Sequence, residues 1–136
     1  MPRVQWPLRH GRPCVQVSLT LAQGSQPLPR TLLADTGAGS LLSGFDLVLE
    51  EDDCLLCGGI PLHSIHLGGA FTGSFPIYDL LVRLPALGID QELRVVGVPS
   101  VPAGFDGVAC FAFLNRFGSG NCGDAGQFGL EQLSIL

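Results

Sequence analysis

The amino-acid sequence predicts a single all-β domain, residues 1–136, with one short α-helix near residues 111–117. Three observations carry this prediction. The 19 Gly and 10 Pro are spread along the whole chain, which is typical of many short strands joined by tight turns. Several segments alternate apolar and polar side chains, as half-buried strands do. Hydrophobic residues make up 46% and charged residues 14% of the chain, enough for a core without disulfides or metals.

The individual elements follow from these patterns in chain order. Residues 15–21 alternate apolar and polar side chains and predict a strand, which a turn at 24–29 connects to a short apolar strand at 31–34. The later elements are an apolar stretch at 41–49, a solvated acidic turn at 50–53, two strands within 65–84 around a Gly-rich hairpin tip, a strand at 93–98, an apolar segment at 108–117 containing the helix, a loop at 118–126 and a final strand at 128–136.

The charge and cysteine content exclude several classes of function. The net charge is −5 and only 7 residues are Lys or Arg, so no basic patch for nucleic acid is expected. No apolar run approaches the roughly 18 residues that cross a bilayer, and residues 1–20 do not resemble a signal peptide, so no membrane partner is expected. The odd number of cysteines, five, argues against a complete disulfide framework and favours a cytoplasmic location.

One motif carries chemistry. The apolar strand at 31–34 leads directly into Asp35-Thr36-Gly37-Ala38-Gly39-Ser40, and an apolar stretch follows. A purely structural explanation is a turn in which Asp35 caps the loop and Gly37 supplies a positive φ. The apolar flanks and the Ala and Ser positions favour a catalytic loop over that explanation.

With this motif the sequence resembles the retropepsin family, the homodimeric aspartic proteases of retroviruses, and more closely their bacterial relatives. The resemblance spans about residues 15–131. Four segments carry it in the right order: 32–38 as the catalytic loop, 66–73 as the flap, 78–84 as the strand that leaves the flap, and 105–114 as a second apolar segment that threads beneath the catalytic loop and continues into the helix. The resemblance implies a closed, barrel-like aspartic protease fold.

The resemblance also implies an activity, an aspartic endopeptidase that cleaves extended polypeptides with apolar side chains at the cleavage site. Two carboxylates that share one proton hydrolyse an amide without a metal or a cofactor. The chain contains a single Asp-Thr-Gly. The second carboxylate is therefore expected from Asp35 of a two-fold related subunit, in a homodimer.

The resemblance assigns roles to the neighbours of Asp35. The Gly37 N–H orients the carboxylate, the Thr36 hydroxyl bonds across the dimer axis, and the small Ala38 leaves room for substrate. The flap is expected to close over the peptide as a mobile lid, with Phe71 covering a pocket. Its substrate-binding residues are Gly68, Gly69, Ala70, Phe71, Thr72 and Gly73.

The sequence departs from the family pattern at Cys110, where the family usually has Gly. A side chain there takes space that Gly leaves to packed backbone. Cys is small and often buried, so the fold is expected to tolerate it. The terminal segments, 1–8 and 127–136, are apolar enough to supply interface strands, as the family also implies.

Three alternatives remain beside the protease interpretation. A dimeric binding or scaffold domain with the same fold would hydrolyse nothing. Cys54, Cys57, His63 and His66 are legitimate zinc ligands, and the two cysteines are a candidate redox pair, but their spacing is short for a zinc finger and plain structural thiols are favoured. Asp106 is a candidate second carboxylate within one chain, although its Phe-Asp-Gly context favours a turn.

Overall fold

The computed structural model describes residues 2–69 and 71–133. About half of the chain is strand and a tenth is helix, so the all-β prediction is confirmed. The strands are β1 (Arg3–Pro7), β2 (Cys14–Thr20), β3 (Pro27–Ala34), β4 (Leu47–Glu50), β5 (His63–Leu67), β6 (Gly73–Leu84), β7 (Ile89–Val98), β8 (Gly107–Ala109), β9 (Phe117–Gly120) and β10 (Gln127–Gln132). The helices are α1 (Glu51–Leu56) and α2 (Phe111–Leu114), with a 3-10 turn at Pro85–Leu87.

Six strands close into a barrel in the order β2-β3-β8-β4-β7-β6. The barrel closes where β2 pairs with β6, at Ser18 opposite Arg83 and Leu19 opposite Val82. Within the barrel β8 runs parallel to β3, β4 runs parallel to β7, and the other neighbours are antiparallel. Strand β5 lies outside the barrel as the second arm of a hairpin with β6. A closed, barrel-like architecture is therefore present.

The core has two apolar clusters, one on each face of the central strands. In β4, Leu47 and Leu49 point into the main cluster inside the barrel, while Val48 between them belongs to the second cluster. Strands with both faces buried read as continuous apolar runs, as Leu47–Leu49 does. The first part of the predicted stretch at 41–49 is a loop instead, in which Leu41 and Leu42 are exposed. The second cluster also holds Phe45 and Cys110 and lies beneath the β5–β6 hairpin.

The two ends of the chain pair with each other in a separate three-stranded sheet, β1-β10-β9. Strand β1 is antiparallel to β10 from Arg3 opposite Glu131 to Pro7 opposite Gln127. Trp6 and Leu130 anchor this sheet in the main core. The predicted interface strands thus pair within one chain, and both edges of β10 are occupied by β1 and β9. Residues 1 and 134–136 of those predicted segments lie outside the described residues.

A single helix was predicted at 111–117, but the helix there is shorter than predicted and a second helix, α1, is present. Helix α2 ends at Leu114, because Phe117 pairs with Gln132 in the terminal sheet and its ring packs on Phe113 at a centroid distance of 5.3 Å. Residues 118–120, which were predicted to begin a loop at 118–126, belong instead to β9.

The second helix, α1, replaces the solvated turn predicted at 50–53. Its acidic first turn suits the positive end of the helix dipole. Asp53 is 9% exposed and accepts two hydrogen bonds from Arg30, at 2.7 and 2.8 Å, while Cys54 is fully buried. These contacts to β3 and to the core hold the helix in place.

Within residues 2–69 and 71–133, none of the helices combines the length and the apolar character that crossing a membrane requires.

Candidate active site

Asp35 directly follows β3 and is half-buried. Its backbone N–H donates to the Ala109 carbonyl at 3.0 Å, which continues the parallel pairing of β3 with β8 by one residue. The Gly37 N–H donates to the Asp35 Oδ1 at 2.9 Å, and the Ala38 N–H donates to the Asp35 carbonyl at 3.1 Å. The Gly37 N–H therefore lies where it orients the carboxylate. Thr36, beside them, is exposed.

The segment that leaves β8 supports this loop from one side. Ala109 accepts the hydrogen bond from Asp35, and two residues later the Phe111 N–H donates to the Ala38 carbonyl at 2.9 Å. The residue between them, Cys110, begins α2 as its N-cap. The second apolar segment thus contacts both ends of the 35–38 loop.

A cavity of about 220 Å³ separates the Asp35 loop from the β5–β6 hairpin. Apart from Asp35 and the Cys110 thiol, the side chains that line the cavity are apolar, and among the described lining residues Asp35 is the one carboxylate. The lining residues are Asp35, Gly37, Ala38, Gly39, Phe45, Val48, Leu67, Gly68, Gly69, Phe71 and Cys110. The structure therefore brings the predicted loop and much of the predicted flap to one cavity.

The hairpin tip, residues 68–72, connects β5 to β6. Gly69 has φ 71°, a left-handed conformation that glycine adopts without strain, and its carbonyl accepts a 2.8 Å hydrogen bond from the Thr72 hydroxyl. Phe71 lines the Asp35 cavity on one side and a second cavity of about 460 Å³ on the other, which the 99–102 loop completes. Gly73 is the first residue of β6. Ala70 lies outside the described residues.

Cys110 forms part of the cavity wall beside Asp35 and is fully buried. Its burial raises the pKa of the thiol to about 12, and the negative charges of Asp35 and Asp46 add to the effect. The thiol therefore stays protonated at neutral pH and is a poor nucleophile. Cys110 acts here as a small apolar side chain in the wall of the cavity.

Asp106 has a structural role. Its backbone N–H donates to the Thr31 carbonyl and its Oδ2 accepts the Thr31 N–H, both at 2.8 Å. Thr31 precedes Asp35 by four residues in extended chain, so Asp106 lies about 13 Å along the strand from the cavity. It is not among the residues that line the cavity.

The four candidate zinc ligands do not converge. Cys54 is buried in α1 and Cys57 follows the end of that helix, whereas His63 and His66 are exposed on β5. In residues 2–69 and 71–133, no group of three or more His, Cys, Asp or Glu side chains is arranged to hold a metal. Burial raises the pKa of both thiols, that of Cys54 to about 12. Both cysteines are free thiols.

Sequence reasoning missed Phe45 and Val48 as cavity residues. Val48 belonged to a recognised apolar stretch, but only the barrel shows that its side chain points away from the main core and towards Asp35. Phe45 lies in the same predicted stretch, directly after Gly44, where no periodic pattern assigns a face.

These observations define a class of protein: a closed β-barrel in which an Asp-Thr-Gly loop faces a glycine-rich hairpin across an apolar cavity. A scan against protein-family models gives no match, and a search of curated proteins finds no significantly similar sequence.

Proposed function

We propose that this protein is an aspartic endopeptidase with a retropepsin-like fold, which hydrolyses extended polypeptides as a homodimer. The observation that carries the proposal is the shared cavity, in which the Asp35 carboxylate faces the hairpin tip across apolar walls. The order of the segments along the chain and the Asp-Thr-Gly motif add support.

The chemistry requires two carboxylates. Two such groups about 3 Å apart cannot both ionise, so one takes a proton from a bound water and the other donates a proton to the scissile carbonyl. Each chain contributes Asp35, and the structural role of Asp106 argues against a second carboxylate from within the chain. The proposed dimer therefore places Asp35 of each subunit next to the two-fold axis.

The neighbours of Asp35 fit this chemistry. The Gly37 N–H orients the carboxylate that it contacts at 2.9 Å. Thr36 is exposed and so has its hydroxyl available for a bond to the second loop. Ala38 lines the cavity with a single methyl group, which leaves space for substrate.

The cavity indicates the substrate class. Its volume of about 220 Å³ is below the roughly 300–1,000 Å³ of pockets for drug-sized ligands, so it suits one side chain of a longer chain. Phe45, Val48 and Leu67 favour an apolar side chain there. The backbone of the hairpin tip supplies an edge to which an extended peptide adds as a strand.

A peptide-library digest at several pH values tests the activity. The wild-type protein is expected to cleave next to apolar residues, and Asp35→Asn is expected to fold normally but to be inactive, because an amide neither accepts the proton of water nor shares one. A statine-like inhibitor, whose hydroxyl occupies the position of the attacking water, is expected to block cleavage. A folded and active Asp35→Asn variant would rule out this assignment.

The dimer requires a separate test. Specific activity is expected to fall on dilution through the dimer dissociation constant. Excess Asp35→Asn subunits are expected to suppress wild-type activity, because a mixed dimer holds one functional carboxylate. A monomer by light scattering with full activity would contradict the shared site.

One observation favours a second candidate, a dimeric peptide-binding domain without hydrolysis. The Cys110 side chain occupies space beside Asp35 that the family leaves to backbone. This candidate predicts that wild type and Asp35→Asn bind apolar peptides equally well and that neither cleaves them.

A further inference from the structure

Asp46 is a buried carboxylate that neither the motif nor the proposed chemistry accounts for. It lies between the Asp35 loop and β4 and is 7% exposed. Its Oδ1 accepts a 2.7 Å hydrogen bond from the Arg116 guanidinium, and its Oδ2 accepts the Arg94 N–H at 3.3 Å. The carboxylate thus joins its own loop to β7 and to the residues that follow α2.

The backbone of Asp46 makes a second set of contacts. Its N–H donates to the Arg94 carbonyl at 2.8 Å, and its carbonyl accepts the Cys110 N–H at 3.0 Å. Cys110 stands between the two residues, Ala109 and Phe111, that hydrogen bond to the 35–38 loop. Asp46 therefore holds the middle residue of a three-residue segment whose two outer residues hydrogen bond to the Asp35 loop.

The other Arg–Asp pairs of the described chain either join different elements or are more exposed to water than the Asp46–Arg116 pair. In the Asp46–Arg116 pair the carboxylate side chain is 10% exposed, whereas Asp90, paired with Arg83 between β6 and β7, is 63% exposed. A buried carboxylate that loses its cation is strongly disfavoured, while an exposed one is hydrated at little cost. Loss of Arg116 is therefore expected to draw Asp46 towards water, and its carbonyl away from Cys110.

From this arrangement we infer that Asp46, held by Arg116, is a positioning residue for the Asp35 loop. The pair holds Cys110 in its place in the cavity wall. Through Ala109 and Phe111 it thereby keeps the Asp35 carboxylate facing the hairpin tip. The expected effect of this pair on catalysis rests on the proposed function. Its expected effect on the position of Cys110 is independent of that function.

Cysteine labelling tests the position of Cys110 without any activity measurement. Arg116→Met removes the cation, and Arg83→Met removes the exposed pair as a matched control. Peptide mapping after maleimide treatment follows Cys110 together with Cys14 and Cys54, which are also buried and report global unfolding. Labelling of Cys110 is expected to rise about tenfold in Arg116→Met alone, because the site opens locally.

Two labelling results would overturn the inference. One is an unchanged rate at Cys110. The other is an equal rise at Cys14, Cys54 and Cys110, because the pair would then stabilise the whole fold rather than this site. If Arg116→Met does not fold, Asp46→Asn replaces it, since the amide keeps an acceptor for the Arg94 N–H while losing the charge.

Peptidase kinetics test the consequence for the reaction. In Arg116→Met, kcat is expected to fall about 10- to 100-fold while KM stays within about threefold of the wild-type value. A misplaced reacting group weakens stabilisation of the transition state rather than binding of the substrate. Arg116→Lys, which keeps the charge, is expected to recover part of the loss, and Arg83→Met to match wild type. A loss confined to KM, or no recovery with Lys, contradicts the positioning role. An inactive wild type refutes the proposed function, whereas the labelling result still decides the position of Cys110.

Discussion

Gly107 provides a sharp test of how the barrel packs beneath the Asp35 loop. It is buried in β8, with Leu32 of β3 and Leu49 of β4 as its strand partners. A Cβ at this position would overlap the Val48 carbonyl oxygen and would lie 2.8 Å from the Leu49 side chain and 3.1 Å from the Leu32 side chain. Because the nearest of these atoms belongs to backbone, no change of rotamer relieves the overlap.

Gly107→Ala is therefore expected to destabilise the protein strongly. Overpacking typically costs 1–3 kcal/mol, and an overlap with backbone belongs at the upper end, so we expect a loss of about 3 kcal/mol. Urea unfolding followed by the fluorescence of Trp6, the one tryptophan of the sequence and a buried one, measures the free energy of unfolding.

The matched control is Gly118→Ala in β9, where the nearest atoms to a new Cβ are at 3.8 and 3.9 Å. Its free energy of unfolding is expected to stay within about 1 kcal/mol of wild type. If Gly107→Ala lost less than about 1 kcal/mol, or no more than Gly118→Ala, the close approach of β8 to β4 would be refuted.

Three further predictions concern the thiol, an ion pair and the hairpin. Above pH 9, Cys110 is expected to lower the free energy of unfolding by roughly 1.4 kcal/mol per pH unit, because its thiol has a pKa near 9.0 in the unfolded chain and about 12 in the folded protein. In urea unfolding at alkaline pH, a Cys110→Ala variant with the same dependence on pH as wild type would contradict this. Arg30→Met, which leaves the buried Asp53 carboxylate unpaired, is expected to cost about 3 kcal/mol in urea unfolding, and a loss below about 1 would refute the pair's role. Amides at 67–69 and 71–73 are expected to exchange hydrogen faster than those of 89–98 by mass spectrometry, since Gly68 and Gly69 have free space around them, and equal protection would argue against a mobile lid.

Local patterns were enough to predict much of the barrel. Alternation in residues 15–21 predicted β2, and glycines at 68, 69 and 73 predicted the tip between β5 and β6. These features depend on the period of a strand and on the conformational freedom of glycine, both of which are properties of a few adjacent residues. The Asp35 loop was recognisable for the same reason, since its motif is contiguous.

Other features depended on contacts between residues far apart in the chain. The acidic residues 50–53 predict a solvated turn, because this short segment carries no side-chain cap; helix α1 is held instead by distant partners, among them Arg30, which pairs with Asp53 from 23 residues away, and the core, in which Cys54 is buried. Helix α2 stopped early because Phe117 pairs with β10. A short segment has a weak preference of its own, so the tertiary partners decide its conformation.

By itself, the sequence determined the all-β class, most of the barrel strands and the position of Asp35 between an apolar strand and an apolar stretch. Only the tertiary structure decided that β8 lies between β3 and β4, that Phe45 and Val48 line the cavity, and that Asp46 holds Cys110. The period of a strand shows that its two faces differ, but which face meets which neighbour depends on how distant strands pair, and no local window of the sequence contains that information.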